Sequence, residues 1–541
     1  MIKTIEKYPL ATLSIIIILM LLIHLEVPNV TIMEARNFIT AREMVFNDNW
    51  LLTTMNGEAR YQKPPLPTWI TAISGLVFGM KNLFALRLPA ALMVLFLGIS
   101  MYYLSLKLTL SKKQSFLNSL ILITSFYIVA IINEAPWDIF THGFMLAGLY
   151  YLFLIFKEEK AVWKHTFLSG LFIGLSILSK GPVSLYVVFL PFLISYGIVY
   201  KFKGFKKKLF PFIVSIVLFI IVGTWWFIYV RIADSEAFMQ IASKETTNWS
   251  SYNIKPLYYY WSFFIQTGLW TIPAFISLLY PYLIDKVTNK KVYKFSFWWT
   301  ISAVILLSII PEKKARYLVP VLIPLAINIG FYIQYLITNF STLKSKKETF
   351  PVYFNFGLIA LIGVSFPIAV YILLEDAITT HLISYILTSI ATVFIGILII
   401  RNLYLKNMNE VFYLTVFFMV SVVTFGLPIS KSLNKNNNYN AINTLHQFEK
   451  EHHITTYSIG DISPELLWNY KGILKNIYKK EELVIPISKQ FGLLIMNDNV
   501  KNITSLLQEN YSTQLIETYN LNVGSKKKER LIRQFYLISK N

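Results

Sequence analysis

Long apolar runs recur along this chain, separated by short polar connections. Most approach the ~20 residues an α-helix needs to cross a hydrocarbon core. About thirteen such spans are predicted. They lie near Pro9–Leu25, Leu88–Lys107, Phe116–Ile132, Phe140–Phe156, Phe167–Ser179, Val183–Tyr200 and Leu209–Val230, then near Tyr258–Ile284, Phe297–Ile310, Leu318–Ile337, Val352–Leu374, Leu382–Ile400 and Val411–Leu427. No small-residue cleavage pattern follows the first run, which predicts an uncleaved span. One further run, Leu66–Gly79, is short and flanked by prolines, and is expected to lie in the membrane interface.

Charge supports that placement. With Leu66–Gly79 outside the bilayer, alternate connections become basic: Lys107, Lys112 and Lys113; Lys157, Lys160 and Lys164; the lysines from Lys201 to Lys208; Lys286 to Lys294; Lys344 to Lys347; and Arg401 with Lys406. The positive-inside rule makes that side cytoplasmic. The Val27–Trp69 stretch, the Pro136–Asp138 turn, Lys180, the Ala233–Leu257 loop and the Glu312–Arg316 segment are then expected outside, together with the C-terminal tail.

The Val27–Trp69 stretch organises the rest. It carries Glu34, Arg36, Arg42, Glu43, Glu58, Arg60 and Lys63 between apolar runs. Charge buried in hydrocarbon costs about 2.5–3.5 kcal/mol per group on insertion scales, so these residues are either solvated or line a site. Ala35–Met44 reads as a surface helix, Asn56-Gly57 as a turn, and Pro64, Pro65 and Pro67 as a rigid re-entry toward the bilayer ahead of Trp69. From Ser430 the character changes. Asn434–Asn440 reads as a polar linker. Beyond it helix-like pieces (Ala441–Lys450, Pro464–Tyr470) alternate with strand-like pieces (Thr455–Ile459, Phe491–Ile495, Arg533–Ile538). The expected fold class is an α-helical polytopic membrane domain over residues 1–430 followed by a small extracytoplasmic α/β domain over 431–541.

Composition narrows the function classes. Over 541 residues the chain is 55% hydrophobic and carries a net charge of +21, and its mean hydropathy is +0.53. The basic residues sit in short loops beside apolar runs, where topology explains them, so nucleic-acid binding is set aside. The absence of cysteine excludes disulfides and thiol catalysis. There is no P-loop and no Rossmann fingerprint.

Acids on the outer face of such a protein are functional candidates by default. They are Glu34 and Glu43 in the first loop, Glu134 and Asp138 around N-E-A-P-W-D, Asp234, Glu236 and Glu245 further on, and Glu312. Asp138 is the sharpest, because it opens an apolar segment at the interface; solvated loop charge or a helix N-cap are its structural alternatives. The basic groups suit a phosphate or pyrophosphate: Arg60 and Lys63 bracketing Tyr61 and Gln62, Lys180 in S-K-G-P, and Lys313, Lys314, Arg316 and Tyr317 in P-E-K-K-A-R-Y. Ordinary lipid headgroups and interfacial snorkelling are the alternatives. The histidines do not form a metal site by spacing.

These pieces carry a family pattern. M-E-A-R-N-F-I-T-A-R-E-M, N-G-E-A-R-Y-Q-K-P-P-L and F-A-L-R-L-P-A-A-L, followed by A-P-W-D, L-S-K-G-P and K-A-R-Y-L-V-P-V-L-I-P, resemble bacterial integral-membrane glycosyltransferases of the aminoarabinose (lipid A) transferase and protein O-mannosyltransferase type, with the GT-C fold. The resemblance covers most of the chain. It implies an inverting enzyme that takes a sugar from a polyprenyl-phosphate-linked donor and passes it to a lipid A-like lipid, a glycan or a protein on the outer face of the cytoplasmic membrane. It also implies roles for particular residues: Lys63, Tyr61, Arg316 and Tyr317 in holding the carrier phosphate, with Arg60 and Lys180 as further basic partners, and Asp138 as the second-loop acid.

One departure stands out. The family places Asp-Glu in the first loop, where this chain has Met33-Glu34, and methionine cannot accept a proton. Gln62 likewise stands where the aminoarabinose group often has Glu. Three consequences stay open: Glu34 or Asp138 is the catalytic acid, which is the favoured reading; the acceptor needs less activation; or the chain is catalytically impaired and acts as a membrane scaffold. A lipid-linked sugar transporter or flippase is the competing class, and a divalent ion between Glu34 and Asp138 also stays open.

Overall fold

The computed structural model describes residues 2–433, 436–479, 482–496, 507, 510–524 and 527–541. Asn434 and Lys435 of the expected linker lie outside the described residues. The chain forms two compact units, one of Met1–Val27 with Tyr61–Ile429, the other of Pro28–Arg60 with Ser430–Asn541.

The first unit is helical. Among the described residues nine helices are long and apolar enough to cross a membrane, and a bent pair, Lys112–Ile123 with Phe126–Glu134, makes a tenth. Pro9–Leu22, Leu66–Phe78 and Leu185–Tyr200 are shorter apolar helices. Leu66–Phe78 has 13 residues. At 1.5 Å per residue it reaches about 20 Å, too short to cross a core of about 30 Å. The run Tyr258–Ile284 corrects the sequence expectation, because it is not one spanning helix. It breaks into short turns at Leu257–Tyr260, Phe263–Trp270, Thr271–Ser277 and Tyr280–Leu283. Gly268 sits at φ 66, ψ −109, which no helix tolerates. A Cβ added there would lie 2.7 Å from Phe126 Cβ, so the kink fits against the bent pair.

Two antiparallel helices carry the most consequential packing. Pro136–Lys157 and Val162–Lys180 approach closely because a Cβ on Gly148 would meet Ile173 at 2.5 Å. Their register is set by two hydrogen bonds across the seam. Ser169 Oγ donates to Gly148 O at 3.1 Å, and Ser176 Oγ donates to Thr141 O at 2.7 Å. That register brings the start of the first helix beside the end of the second.

The second unit is mixed α/β. A four-stranded sheet runs in the order Thr456–Ser458, Gln490–Ile495, Ile532–Lys540, Tyr511–Asn520, with the first pair parallel and the others antiparallel. Its core includes Leu466, Leu467, Leu494, Tyr519 and Phe535. The expected boundary left the first outer loop with the membrane domain. The structure places Pro28–Arg60 in the second unit instead, because Ala35 and Ile39 of the helix Ile32–Asn47 bury in that same core. The Phe38 and Trp468 rings also lie 5.4 Å apart. The Asn56-Gly57 turn connects a two-residue-per-strand hairpin, with φ 60 and φ 75 at its two corners, the geometry Asn-Gly favours.

Glu43 locks that hairpin to the helix. Its carboxylate accepts from Asn56 N at 2.6 Å, Gly57 N at 3.2 Å and Thr54 Oγ1 at 2.6 Å, and the side chain is buried. Glu43→Ala leaves these donors unsatisfied and should destabilise the second unit by about 1–3 kcal/mol. Thermal melting in detergent checks it: Glu43→Ala should melt below wild type, and an unchanged melt would show that the hairpin is held by other contacts.

Candidate active site

Asp138 and Lys180 occupy helix ends that suit their charges. Pro136 opens the helix Pro136–Lys157, where its fixed φ and missing N–H cost nothing, and Asp138 follows in the first turn. The unpaired N–H groups there favour a carboxylate. Lys180 is the last residue of Val162–Lys180, where free carbonyls favour a cation, and Gly181 at φ +88 stops the helix. The helix register described above then sets Lys180 Nζ 2.5 Å from Asp138 Oδ1. Asp138 is 2% exposed, and its second oxygen, Oδ2, has no hydrogen-bond partner among the described residues. A buried carboxylate with one oxygen held by a cation and the other unfilled is ready to accept a proton or a hydrogen bond from a ligand.

The pair lines a cavity of about 390 Å³ within the first unit. Lys63, Tyr317 and Glu312 line it too, as do His142, Tyr186 and Tyr260, against an apolar wall of Pro182, Val183, Val187, Leu307, Ile310 and Pro320. Its size and its few polar groups on an apolar wall fit a small-molecule site. Tyr186 and Val187 lie in the wide turn Leu185–Phe189, an irregularity of the kind that often marks functional positions. Tyr317 puts its ring 5.1 Å from Lys180 Nζ, and its hydroxyl donates to Glu312 Oε1 at 3.4 Å. Glu312 also pairs with Lys314. The Arg316 guanidinium lies 5.9 Å from the Tyr317 ring centre. Arg316 is half-buried and makes no ion pair among the described residues.

Of the sequence-proposed residues, five converge here: Lys63, Asp138, Lys180, Glu312 and Tyr317. Arg316 stands beside Tyr317 in the turn Ala315–Leu318. Tyr61 is differently occupied. It donates its hydroxyl to Asp234 Oδ2 at 2.8 Å, and burial, followed by that carboxylate, raises its pKa well above the ordinary phenol value. Lys313 is a structural cation: its ammonium donates to Ile310 O at 2.6 Å and Lys255 O at 3.1 Å, and burial lowers its pKa. Arg60 and Glu34 belong to the second unit. Arg60 closes the hairpin, its N–H donating to Thr53 O at 2.8 Å. Glu34 is fully buried and completes a capping box: Thr31 Oγ1 accepts from Glu34 N at 3.3 Å, and the Glu34 carboxylate accepts from Thr31 N at 3.1 Å.

His142, Tyr186 and Tyr260 were not among the site residues proposed from sequence. For His142 a signal existed, since it follows Asp138 by one helical turn and shares its face. Its Nδ1 is buried without a hydrogen-bond partner among the described residues. No group of three or more His, Asp or Glu side chains able to hold a metal ion occurs among the described residues.

Comparison with known proteins extends the picture. The profile described as dolichyl-phosphate-mannose-protein mannosyltransferase matches residues 62–227. An uncharacterised protein of Aquifex aeolicus is 25% identical over 323 residues, 57% of this chain and 59% of that one. An undecaprenyl phosphate-alpha-4-amino-4-deoxy-L-arabinose arabinosyl transferase of Proteus mirabilis is 24% identical over 315 residues, 55% of this chain and 54% of that one. The chain therefore matches a little over half the length of these two curated relatives. The crystal structure of ArnT from Cupriavidus metallidurans bound to undecaprenyl phosphate superposes with a TM-score of 0.67 at 15% identity, covering 98% of this chain and 97% of that one. At that identity the likeness speaks for the fold. Motifs, profile and fold agree that the chain is a polytopic membrane protein of the GT-C fold, similar to the ArnT and protein-mannosyltransferase (PMT-like) glycosyltransferases.

Proposed function

We propose that this protein is an inverting glycosyltransferase that moves a sugar from a polyprenyl-phosphate-linked donor to a lipid A-like, glycan or protein acceptor on the outer face of the cytoplasmic membrane. The observation that carries the proposal is the Asp138 carboxylate, held by Lys180 and opening an unpartnered oxygen beside a cavity that Lys63 also lines. The solved relative with undecaprenyl phosphate bound supports a polyprenyl phosphate as the lipid partner.

In this reading the acceptor oxygen attacks the anomeric carbon from the face opposite the phosphate. The new C–O bond forms as the bond to the phosphate oxygen breaks, and that electron pair leaves on the polyprenyl phosphate. The acceptor proton passes to Asp138 Oδ2 as general base. Lys63, Lys180 and Arg316 stabilise the charge that grows on the leaving phosphate, and Tyr317 orients Lys180. Glu34 has a carboxylate occupied in its capping box, so in this reading it positions the first-loop helix and Asp138 takes the proton. An acceptor that is already an anion needs the cations more than the base, which fits Met33 at the position where the family has Asp. A transporter would place its charge near the bilayer midplane on broken helices. Here Asp138 and Lys180 sit at helix ends, which favours the enzyme.

Two outcomes follow for purified protein with a synthetic polyprenyl-phosphate sugar. Lys63→Ala and Arg316→Ala should each lower turnover or donor affinity tenfold or more, since a charge-assisted hydrogen bond contributes roughly 1.5–3 kcal/mol. Unchanged kinetics in both would remove the phosphate assignment.

Asp138→Asn should abolish transfer to a neutral hydroxyl acceptor while donor binding persists or tightens, because Lys180 loses its counter-charge. Removing one partner of a buried pair also costs about 3–5 kcal/mol of stability, so melting must be followed alongside. A folded Asp138→Asn protein with full transfer activity would rule out Asp138 as the base.

A further inference from the structure

On the side that the lysine-rich connections mark as cytoplasmic, the cations divide into two groups. Most have an acid. Lys107 Nζ lies 2.6 Å from Glu158, Lys113 Nζ 2.8 Å from Glu6, Lys290 Nζ 2.6 Å from Asp285, and Lys286 pairs with Glu348. Lys157 and Lys291 have no ion pair among the described residues, yet they converge on one ring. Lys157 Nζ lies 4.1 Å and Lys291 Nζ 4.6 Å from the centre of Tyr200. Tyr200 is itself buried, at 4.8 Å from the Tyr196 ring and 5.6 Å from the Phe295 ring.

Two like charges gathered over one buried aromatic are electrostatically unfavourable unless an anion joins them. The ring of Tyr200 gives part of the compensation. The arrangement has a second cost. Lys291 stands in the first turn of the helix Lys290–Ile309, where the backbone's partial positive charge opposes a cation. The nearby acids do not relieve either lysine: Glu158 is taken by Lys107 and His165, and Glu159 pairs with neither. Lys157 ends one helix long and apolar enough to cross a membrane and Lys291 lies at the start of another, and lysines at the ends of such helices reach the headgroup region.

We propose that Lys157 and Lys291, over Tyr200, form a binding site for the phosphate headgroup of an anionic phospholipid in the leaflet on the basic side. The site is separate from the cavity around Asp138, and it stands whether or not the transferase reading does. Each lysine near a charged lipid surface contributes about fivefold in affinity, so the two together supply roughly thirtyfold.

The test uses the full chain in detergent. Thermal stability and native mass spectrometry are followed while phosphatidylglycerol, phosphatidylcholine or inorganic phosphate is added at equal concentration. Wild type should be stabilised by phosphatidylglycerol, retain it in the mass spectrum, and respond little to the other two. Lys157→Gln with Lys291→Gln should lose the phosphatidylglycerol preference roughly thirtyfold while melting as wild type does in phosphatidylcholine. Lys203→Gln with Lys207→Gln removes the same charge from exposed loop positions and should keep the preference. An equal loss in that control would show a diffuse charge effect and overturn the proposal. So would a preserved preference in the Lys157/Lys291 variant, an equal response to inorganic phosphate, or no preference in wild type. If the Lys157/Lys291 variant fails to fold, Lys157→Arg with Lys291→Arg keeps both charges and should keep the preference; its loss would equally overturn the site.

Discussion

The contact between Asp138 and Lys180 is the constraint on which the candidate site depends. Neither charge is stable alone at that depth: Asp138 is 2% exposed and the Lys180 side chain 13%. Each is compensated twice, by the other and by the helix end that carries it. The pair therefore fixes the geometry of two helix termini. It does so because a small residue at Gly148 and the two seam hydrogen bonds set the helices in that register. It also leaves one carboxylate oxygen uncommitted. A lysine that neutralises its acid completely would make a purely structural bridge; a bridge with a spare oxygen beside a cavity can also do chemistry.

The cavity wall explains how such a site works at a membrane surface. Its lining is apolar apart from the charges, the tyrosines and His142, so each charge acts through a lower dielectric than in bulk water. Glu312 is already paired with Lys314 and takes a hydrogen bond from Tyr317. Lys63 brings further positive charge to the lining, and Arg316 stands beside Tyr317. That balance suits a group arriving with negative charge and leaving with more, as a phosphate ester does on cleavage.

Much of the fold could be read from the chain, for identifiable reasons. Hydropathy located the long helices, because a bilayer imposes one length on all of them. Asn56-Gly57 announced its hairpin because both corners need a left-handed backbone. Proline before Asp138 and glycine after Lys180 marked two helix ends, and charged residues there were visible as candidates. What stayed hidden depends on distant partners. Nothing local in Ile32–Asn47 shows that Ala35 and Ile39 pack with Leu466 and Phe535. The Tyr258–Ile284 run is apolar enough to span, and its break at Gly268 is understood only once Phe126 is seen against it. The strand Tyr511–Asn520 has a largely exposed, polar face and gave no apolar alternation to follow. The occupied hydroxyl of Tyr61 and the capping role of Glu34 likewise became visible only with their partners in place.

The central claim is that one phosphate-binding, proton-accepting site is built around Asp138 and Lys180. The most direct measurement is a structure of this protein with a polyprenyl phosphate bound. The account predicts the phosphate within hydrogen-bonding distance of Lys63 or Lys180, with Arg316 turned toward it and Asp138 Oδ2 facing the position of the departed sugar. A phosphate bound elsewhere in the first unit, with the Asp138–Lys180 contact undisturbed and remote from it, would contradict the claim.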